Sequence, residues 1–543
     1  MQLPPNSKFG SAFGAPVTQV SRLAANKYVA VPTVRKATAI GAVLLTLAAA
    51  CSSGDAAQPA VIESPQATPA PNAAPPPDFA TVSKLINDEI AEPRLPGAVV
   101  VIGHAGKVVF HQAFGSRKFA GEPGLDGLPA PAEPMTEDTI FDLASLTKPL
   151  ATATAVMQLY EQGKVQLDEP VQQYLPDFNA ANDAQRAEVT VRMLLTHTSG
   201  ETGDVNLGDP WGLDGADKSE GIHRALTTPL ESGPGEVFRY SDINFILLGA
   251  LIEIITGEAE DVYVQNNVFA PLGMEETRYL PPAKACGPHT IRGAAIAWAP
   301  PGTGRVPAAC PAGTWSTGLL SRIAPTARDE EGRADPSKNP DLDHLLRGTV
   351  HDTTARRMGG VAGHAGVFST AHDVSVYAQA LLDRLANRPS KFPLTRATLE
   401  LMTTPQQPGH SAQQLKAAND AAREAITRTP NTTDPLLAPN YPAIEGQDLR
   451  GFGWDIDTAN SKPRGMVFPI GSFGHTGFTG TTLWIDPGSN TYVILLANVI
   501  HQRGGPPISD LSGAVATATA QTLRLYSDAS SATTSTPAGR FPR

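Results

Sequence analysis

Two short antiparallel hairpins, nearly four hundred residues apart, constrain this chain more than any other feature. GAVVVIGHAGKVVFHQAFG (97–115) reads as two β-rich runs around His104-Ala105-Gly106-Lys107, and TTLWIDPGSNTYVILLAN (481–498) turns at Pro487-Gly488-Ser489-Asn490. Hairpins exclude a purely parallel, doubly wound sheet. The material between them is mostly helical or loop-like, so the pattern predicts an α/β chain of the α+β kind. Its antiparallel sheet is built from both ends of the domain and flanked by helices, with a mostly helical subdomain inserted. DFATVSKLINDEIAE (78–92) has helical apolar spacing with Asp78 as the expected N-cap, and SDLSGAVATATAQTLRLY predicts a helix after the second hairpin. Apolar residues make up 41% of the chain, enough for a substantial core. Three Pro/Gly/Asp/Asn-rich stretches, 283–312, 327–347 and 404–447, read as loops covering one face.

The N-terminal residues do not read as part of this fold. Residues 1–36 carry Lys8, Arg22, Lys27, Arg35 and Lys36 and no acid, and ATAIGAVLLTLAAAC follows. A basic stretch, a short apolar run and small residues make an export signal over 1–50, too short to span a bilayer comfortably. Its small residues running into Cys51 resemble a bacterial lipoprotein cleavage site, although Ala48 stands where leucine is usual. That predicts a lipid-anchored protein on the periplasmic side of a membrane. Residues 51–77, rich in Pro, Ala and Ser, cannot bury enough surface to fold and read as a tether. The domain is expected over 78–525, and 526–543 reads as a disordered tail. Cys286 and Cys310, at the ends of a Pro/Gly-rich stretch, are a candidate disulfide in an exported chain, against two free thiols. A net charge of −11 without a basic cluster argues against nucleic acid as a partner.

Ser145-Leu146-Thr147-Lys148 is the only S-x-x-K in the chain. It opens a predicted helix, Leu146–Gln162, that ends at Gly163. Free N–H groups and the helix dipole favour negative charge at that entrance, and the spacing brings Lys148 within reach of the Ser145 hydroxyl. A serine needs such a base, because its hydroxyl is a poor nucleophile at neutral pH. FRYSDINFILLGALIEIITG (238–257) places Tyr240 and Asp242 before a helix apolar almost all round. A phenol beside an ammonium ionises more readily and can relay a proton. SFGHTGFTGTTLWIDP (472–487) leads His475-Thr476-Gly477 into a strand whose N–H groups can face a developing oxyanion.

Taken in order, S-x-x-K, Y-S-D 95 residues on and H-T-G before the last hairpin resemble the serine β-lactamase/penicillin-binding-protein superfamily. The class C β-lactamase-like branch is the nearest in flanking text, as in VTVRMLLTHTSG and VFAPLGMEETRY. RGTVHDTTARRMGGVAGHAGVFSTAHDV resembles a narrower group of penicillin-binding-protein-4B-like lipoproteins and exo-N-acetylmuramyl-L-alanine amidases. The resemblance implies a β-lactamase/transpeptidase-like fold and a serine hydrolase that needs no cofactor. Ser145 would be the acylated nucleophile, and Lys148 and Tyr240 would share general-base and proton-relay duties. Asp242, His475, Thr476, Gly477 and Phe478 would line the substrate and oxyanion site, the N–H groups of Ser145 and Phe478 forming the hole.

Two departures point away from efficient β-lactam hydrolysis: Asp242 stands where class C enzymes have Asn, and His475 where they have Lys. A peptidoglycan-derived amide or peptide is the expected small-molecule substrate. A promiscuous carboxylesterase, a weak β-lactamase or a penicillin-binding sensor that never turns over are the alternatives. His475 is expected to help bind substrate carboxylates only when protonated. His351, Asp352, His364 and His372 lack the spacing of a helix-borne metal pair and read as loop and hydrogen-bonding residues, and His197 as a local structural histidine.

Overall fold

The computed structural model describes residues 76–527 except 93–94, 298–306, 308, 429–439 and 503–507. The expected signal segment, Cys51 and almost all of the tether and tail lie outside the described residues.

The sheet is assembled from the two ends of the domain. Its strands are β1 (Gly97–His104), β2 (Lys107–Lys118), β3 (Glu133–Pro134), β4 (Leu449–Arg450), β5 (Asp455–Asp457), β6 (Phe473–Gly477), β7 (Thr481–Asp486) and β8 (Thr491–Ala497). The order across the sheet is β4-β5-β6-β7-β8-β1-β2-β3. β1 and β8 join the halves antiparallel, from Ala98 opposite Ala497 to His104 opposite Thr491. The near-continuous apolar run of β1 follows from burial on both faces. Val99 and Val101 enter the large core under the helical insertion, whereas Ala98, Val100 and Ile102 enter a second core. That second core lies beneath α1 (Ala80–Ala91) and the last helix, α5 (Ser509–Thr522).

The insertion contributes α2 (Thr154–Glu161), α3 (Asp242–Thr256) and α4 (Ala371–Leu385). Residues 243–252 of α3 are all buried, as its apolar circumference predicts, and Gly257 closes it at φ 72°. Helix α1 starts one residue later than expected, with Phe79 at the N-cap position, but Asp78 still accepts the Ala80 N–H at 2.9 Å. The stretch 404–447 is not all loop: Ala412–Arg428 is a helix. Its polar, alanine-rich face hid it, since little beyond Leu415, Ala418 and Ala422 meets the core. Cys286 and Cys310 are bridged, with their Cα atoms 5.9 Å apart. The folded body runs slightly past its expected end, because the Tyr526 hydroxyl donates to Asp486 at 2.7 Å.

Candidate active site

The nucleophile segment is a tight turn rather than the first turn of one regular helix. Residues 144–146 form a 3₁₀ turn, Lys148–Ala153 a wider π-type segment, and only then does α2 begin. Such irregular turns recur at functional sites. Pro149 lacks an N–H, which suits a helix entrance, and Gly163 ends the helix at φ 68°. Ala144, just ahead of Ser145, sits at φ 46°, a left-handed conformation costly for a residue with a Cβ.

Asp142 holds that strained turn. One carboxyl oxygen accepts the Ala144 N–H at 3.0 Å and the other the His351 N–H at 2.7 Å. Burial pushes the Asp142 carboxyl up to about 7. The hairpin after H-T-G is fastened to the same segment: Thr479 Oγ1 donates to Asp142 O at 2.7 Å and Thr481 Oγ1 to Leu143 O at 2.9 Å. A Cβ on Gly477 would come within 2.3 Å of the Leu143 carbonyl oxygen, so only glycine allows that approach. Phe478 follows it with its ring 74% exposed, and Thr476 is half-buried on the strand before it.

Lys148 is fully buried, and its Nζ touches three groups. It donates to Ser145 Oγ at 3.0 Å and to the His364 carbonyl at 3.1 Å, and lies 2.6 Å from Asp242 Oδ1. Burial works against its charge, but the Asp242 carboxylate beside it prevails and raises its pKa. Tyr240 packs next to it, with Lys148 Nζ 4.9 Å from the ring centroid. The Tyr240 hydroxyl lies close enough to Lys148 and Ser145 to feel both, yet makes no hydrogen bond of good geometry. Burial raises its pKa despite the neighbouring ammonium.

His475 lies where burial opposes the charge expected of it. The ring is buried and its pKa falls to about 3, chiefly through desolvation. Its Nδ1–H donates to the Thr476 carbonyl at 2.7 Å, a contact that favours the proton without offsetting the burial. The nearby Arg450, 5.6 Å from the Tyr240 ring centroid, pairs with the buried Asp455 through Nη1, while its Nε and Nη2 are buried without a partner.

Several residues here were not legible as site residues. His197 stacks on Tyr240 with centroids 4.5 Å apart, and its Nδ1 accepts the Ser241 N–H at 3.1 Å, so this structural histidine also fixes Tyr240. Asp352 pairs with the buried His364 at 2.8 Å and caps the helix Thr353–Arg357 through the Ala355 N–H. The burial of His364 is outweighed by Asp352, which raises its pKa, and its carbonyl receives Lys148. His372 pairs with Asp373 away from them, and among the described residues no group of three His, Cys, Asp or Glu side chains could hold a metal. His197 meets Tyr240 and Ser241, and His364 meets Lys148, across long stretches of sequence, so no local motif announces those contacts.

A half-buried serine and tyrosine beside a buried lysine, at a turn pinned to a strand of the sheet, make a cluster in which a serine can act as nucleophile with a lysine in place of a histidine as base. The chain belongs to the β-lactamase family, whose model matches residues 82–506. It is similar to N-acetylmuramyl-L-alanine amidase of Bacillus subtilis (strain 168), 29% identical, the alignment covering 77% of this chain and 80% of that protein. It is also similar to an Escherichia coli (strain K12) protein named as a D-alanyl-D-alanine carboxypeptidase, 27% identical over 76% of this chain and 80% of the other. In fold it resembles simvastatin synthase from Aspergillus terreus, with TM-score 0.53 and 21% identity, covering 82% of this chain and all of that one. The protein is thus a serine hydrolase of the β-lactamase/transpeptidase-like fold.

Proposed function

We propose that this hydrolase is exported, is tethered through a lipid on Cys51, and cleaves an amide of peptidoglycan fragments through an acyl-enzyme on Ser145. The basic, then apolar, then small-residue pattern ahead of Cys51 supports the location. Its relatives' names support the substrate class. The observation that carries the reading is the Ser145–Lys148–Asp242 contact beside a neutral His475. The nucleophile is equipped, while His475, buried and shifted to about 3, supplies no charge for the carboxylate that penicillins and D-Ala-terminated peptides carry.

Ser145 must lose its proton to attack a carbonyl. In the resting site Lys148 is an ammonium and Tyr240 a neutral phenol, so neither is yet a base. Asp242 is 22% exposed, and a substrate covering it strips away the water that favours the ion pair. A proton then crosses from Lys148 to Asp242, and the neutral amine takes the Ser145 proton as Oγ bonds to the substrate carbonyl carbon. The oxyanion forms beside the N–H groups of Ser145 and Phe478. When the C–N bond breaks, Lys148 returns its proton to the leaving nitrogen, with Tyr240 placed to relay it. Water attacks the ester by the same route in reverse.

The test is a substrate panel on purified protein: an N-acetylmuramyl-L-alanine amide, a D-Ala-D-Ala peptide, a nitrophenyl ester and a chromogenic cephalosporin. The muramyl amide is expected to give the highest kcat/KM. Preference for the D-Ala peptide or cephalosporin would refute the reading, and stoichiometric acylation without turnover would make the protein a sensor.

A further inference from the structure

Residues 363–367, far from the nucleophile in sequence, are zipped onto the catalytic segment, and one of their side chains takes no part in the acylation steps. The Leu143 N–H donates to the Val367 carbonyl at 2.9 Å, and the Val367 N–H to Thr147 Oγ1 at 3.1 Å. Lys148 Nζ donates to the His364 carbonyl at 3.1 Å, and Thr152 Oγ1 to the Gly363 carbonyl at 2.7 Å. On its other side Gly363 packs on α3, where an added Cβ would strike the Phe245 carbonyl. The His364 ring is wholly buried in this turn. Its Nε2 meets Asp352 Oδ1 at 2.8 Å, and its Nδ1 is buried without a partner.

The partner of that ring is itself fixed. Asp352 Oδ1 also accepts the Ala355 N–H at 2.8 Å, which caps the helix Thr353–Arg357. The next residue but one, Thr354, reaches both oxygens of Asp204 through Oγ1, at 3.1 and 2.9 Å. Taking a charged pair out of water offsets much of its attraction, so such a pair adds little net stability. Its positional consequence is larger. With the ring held, the Cα and the carbonyl of His364 are held too.

The direction of that carbonyl matters to a base. An ammonium carries three N–H groups, and Lys148 directs them at Ser145 Oγ, the His364 carbonyl and Asp242. Once a proton has gone to Asp242, the neutral amine has two N–H groups and a lone pair. A carbonyl oxygen only accepts, so the corner facing His364 keeps an N–H. The lone pair is confined to the corners facing Asp242, which has taken a proton, and Ser145, which must give one. We infer that His364, locked by Asp352, is a positioning residue that orients the lone pair of Lys148 toward Ser145. The inference rests on Lys148 being the base of the proposed acylation and is independent of the substrate class.

The test follows fluorophosphonate acylation of Ser145 and hydrolysis of a nitrophenyl ester in His364→Phe, His364→Gln and Asp352→Ser, with circular dichroism confirming that each is folded. Phe fills the space of the ring but cannot bond to Asp352. Ser caps a helix as well as Asp does and is too short to hold His364. A misplacement of about 1 Å costs about a hundredfold, so His364→Phe and Asp352→Ser should each slow acylation and lower kcat about thirtyfold or more, with KM little changed. His364→Gln, whose amide can donate to Asp352, should stay within about fivefold of the wild type. Lys148→Met separates this role from one in the oxyanion hole. On that background His364→Phe should cause no further loss of the residual labelling rate, since a residue acting through Lys148 has nothing left to act on. Should His364→Phe fail to fold, His364→Gln and Asp352→Ser carry the same comparisons. Rates within about threefold of the wild type in the folded His364→Phe and Asp352→Ser, or a further loss on the Lys148→Met background, overturn the positioning role. Lys148→Met labelled as fast as the wild type overturns instead the reading of Lys148 as base.

Discussion

Lys148 and Asp242 stand 2.6 Å apart in a site where the lysine is wholly buried, and that pair sets the resting charge of the catalytic machinery. Burial alone would push the amine toward its neutral form, and the carboxylate reverses this. The Asp where class C β-lactamases have Asn is therefore a change in the base itself as well as in substrate contacts.

Asp242→Asn tests that relationship. Without the carboxylate, desolvation governs Lys148 and its pKa falls. With no internal acceptor for its proton, Lys148 must already be neutral when substrate binds, so kcat/KM for a neutral ester should acquire an ascending limb set by Lys148 that the wild type lacks. A variant profile identical in shape to the wild type's would show that Lys148 is not the base.

Ser145→Ala should abolish hydrolysis of every substrate while leaving thermal stability nearly unchanged. The side chain is small, half-buried and donates no bond on which the turn depends; Asp142 holds the turn instead. A fluorophosphonate should label Ser145 in the wild type and leave the variant unlabelled. Label retained by the variant would reassign the nucleophile.

His475 should be silent in pH profiles. With its pKa near 3, a penicillin and a neutral ester should show superimposable kcat/KM profiles between pH 5 and 8, and His475→Gln should not alter that agreement. A gain on acidification confined to the carboxylate-bearing substrate would mean that the ring is charged in the complex.

The charge expected of His475 meets a physical obstacle, burial, that bears on the whole comparison. Periodicity exposed the two hairpins and the buried helix α3, and short motifs singled out Ser145, Lys148 and Tyr240, which the structure brings together. What could not be read was environment. His475 lies on a strand whose neighbours desolvate it, and desolvation depends on the packed insertion rather than on H-T-G. Asp142 and His197 accept from backbone groups of distant segments, as when Asp142 serves His351, and the His364 carbonyl receives the distant Lys148. The helix Ala412–Arg428 was missed because its stripe against the core is narrow and mostly alanine.

Glu260 offers a test of the buried polar network behind Lys148. Thr152 Oγ1 lies 2.8 Å from Glu260 Oε1 and 2.7 Å from the Gly363 carbonyl, and one hydroxyl hydrogen cannot serve both acceptors. With Thr152 donating to Gly363, the other contact is satisfied when Glu260 itself carries a proton. Its environment agrees: burial raises the carboxyl to about 7 from an ordinary 4.5. The linkage follows from those two values. Between about pH 4.5 and 7 the unfolded chain has released this proton and the folded one has not, so stability contributed here falls as pH rises, by on the order of 3 kcal/mol once pH exceeds 7. Glu260→Gln keeps the shape, and its amide can donate to Thr152 without a titrating proton. The variant should match the wild type in denaturant midpoint at pH 5 and exceed it at pH 8, where the wild type must hold a buried carboxylate. Equal midpoints at pH 8 would show that Glu260 is ionised at no cost. A variant weaker at both pH values would show that the carboxyl is needed for its shape or hydrogen bonds and not for its proton.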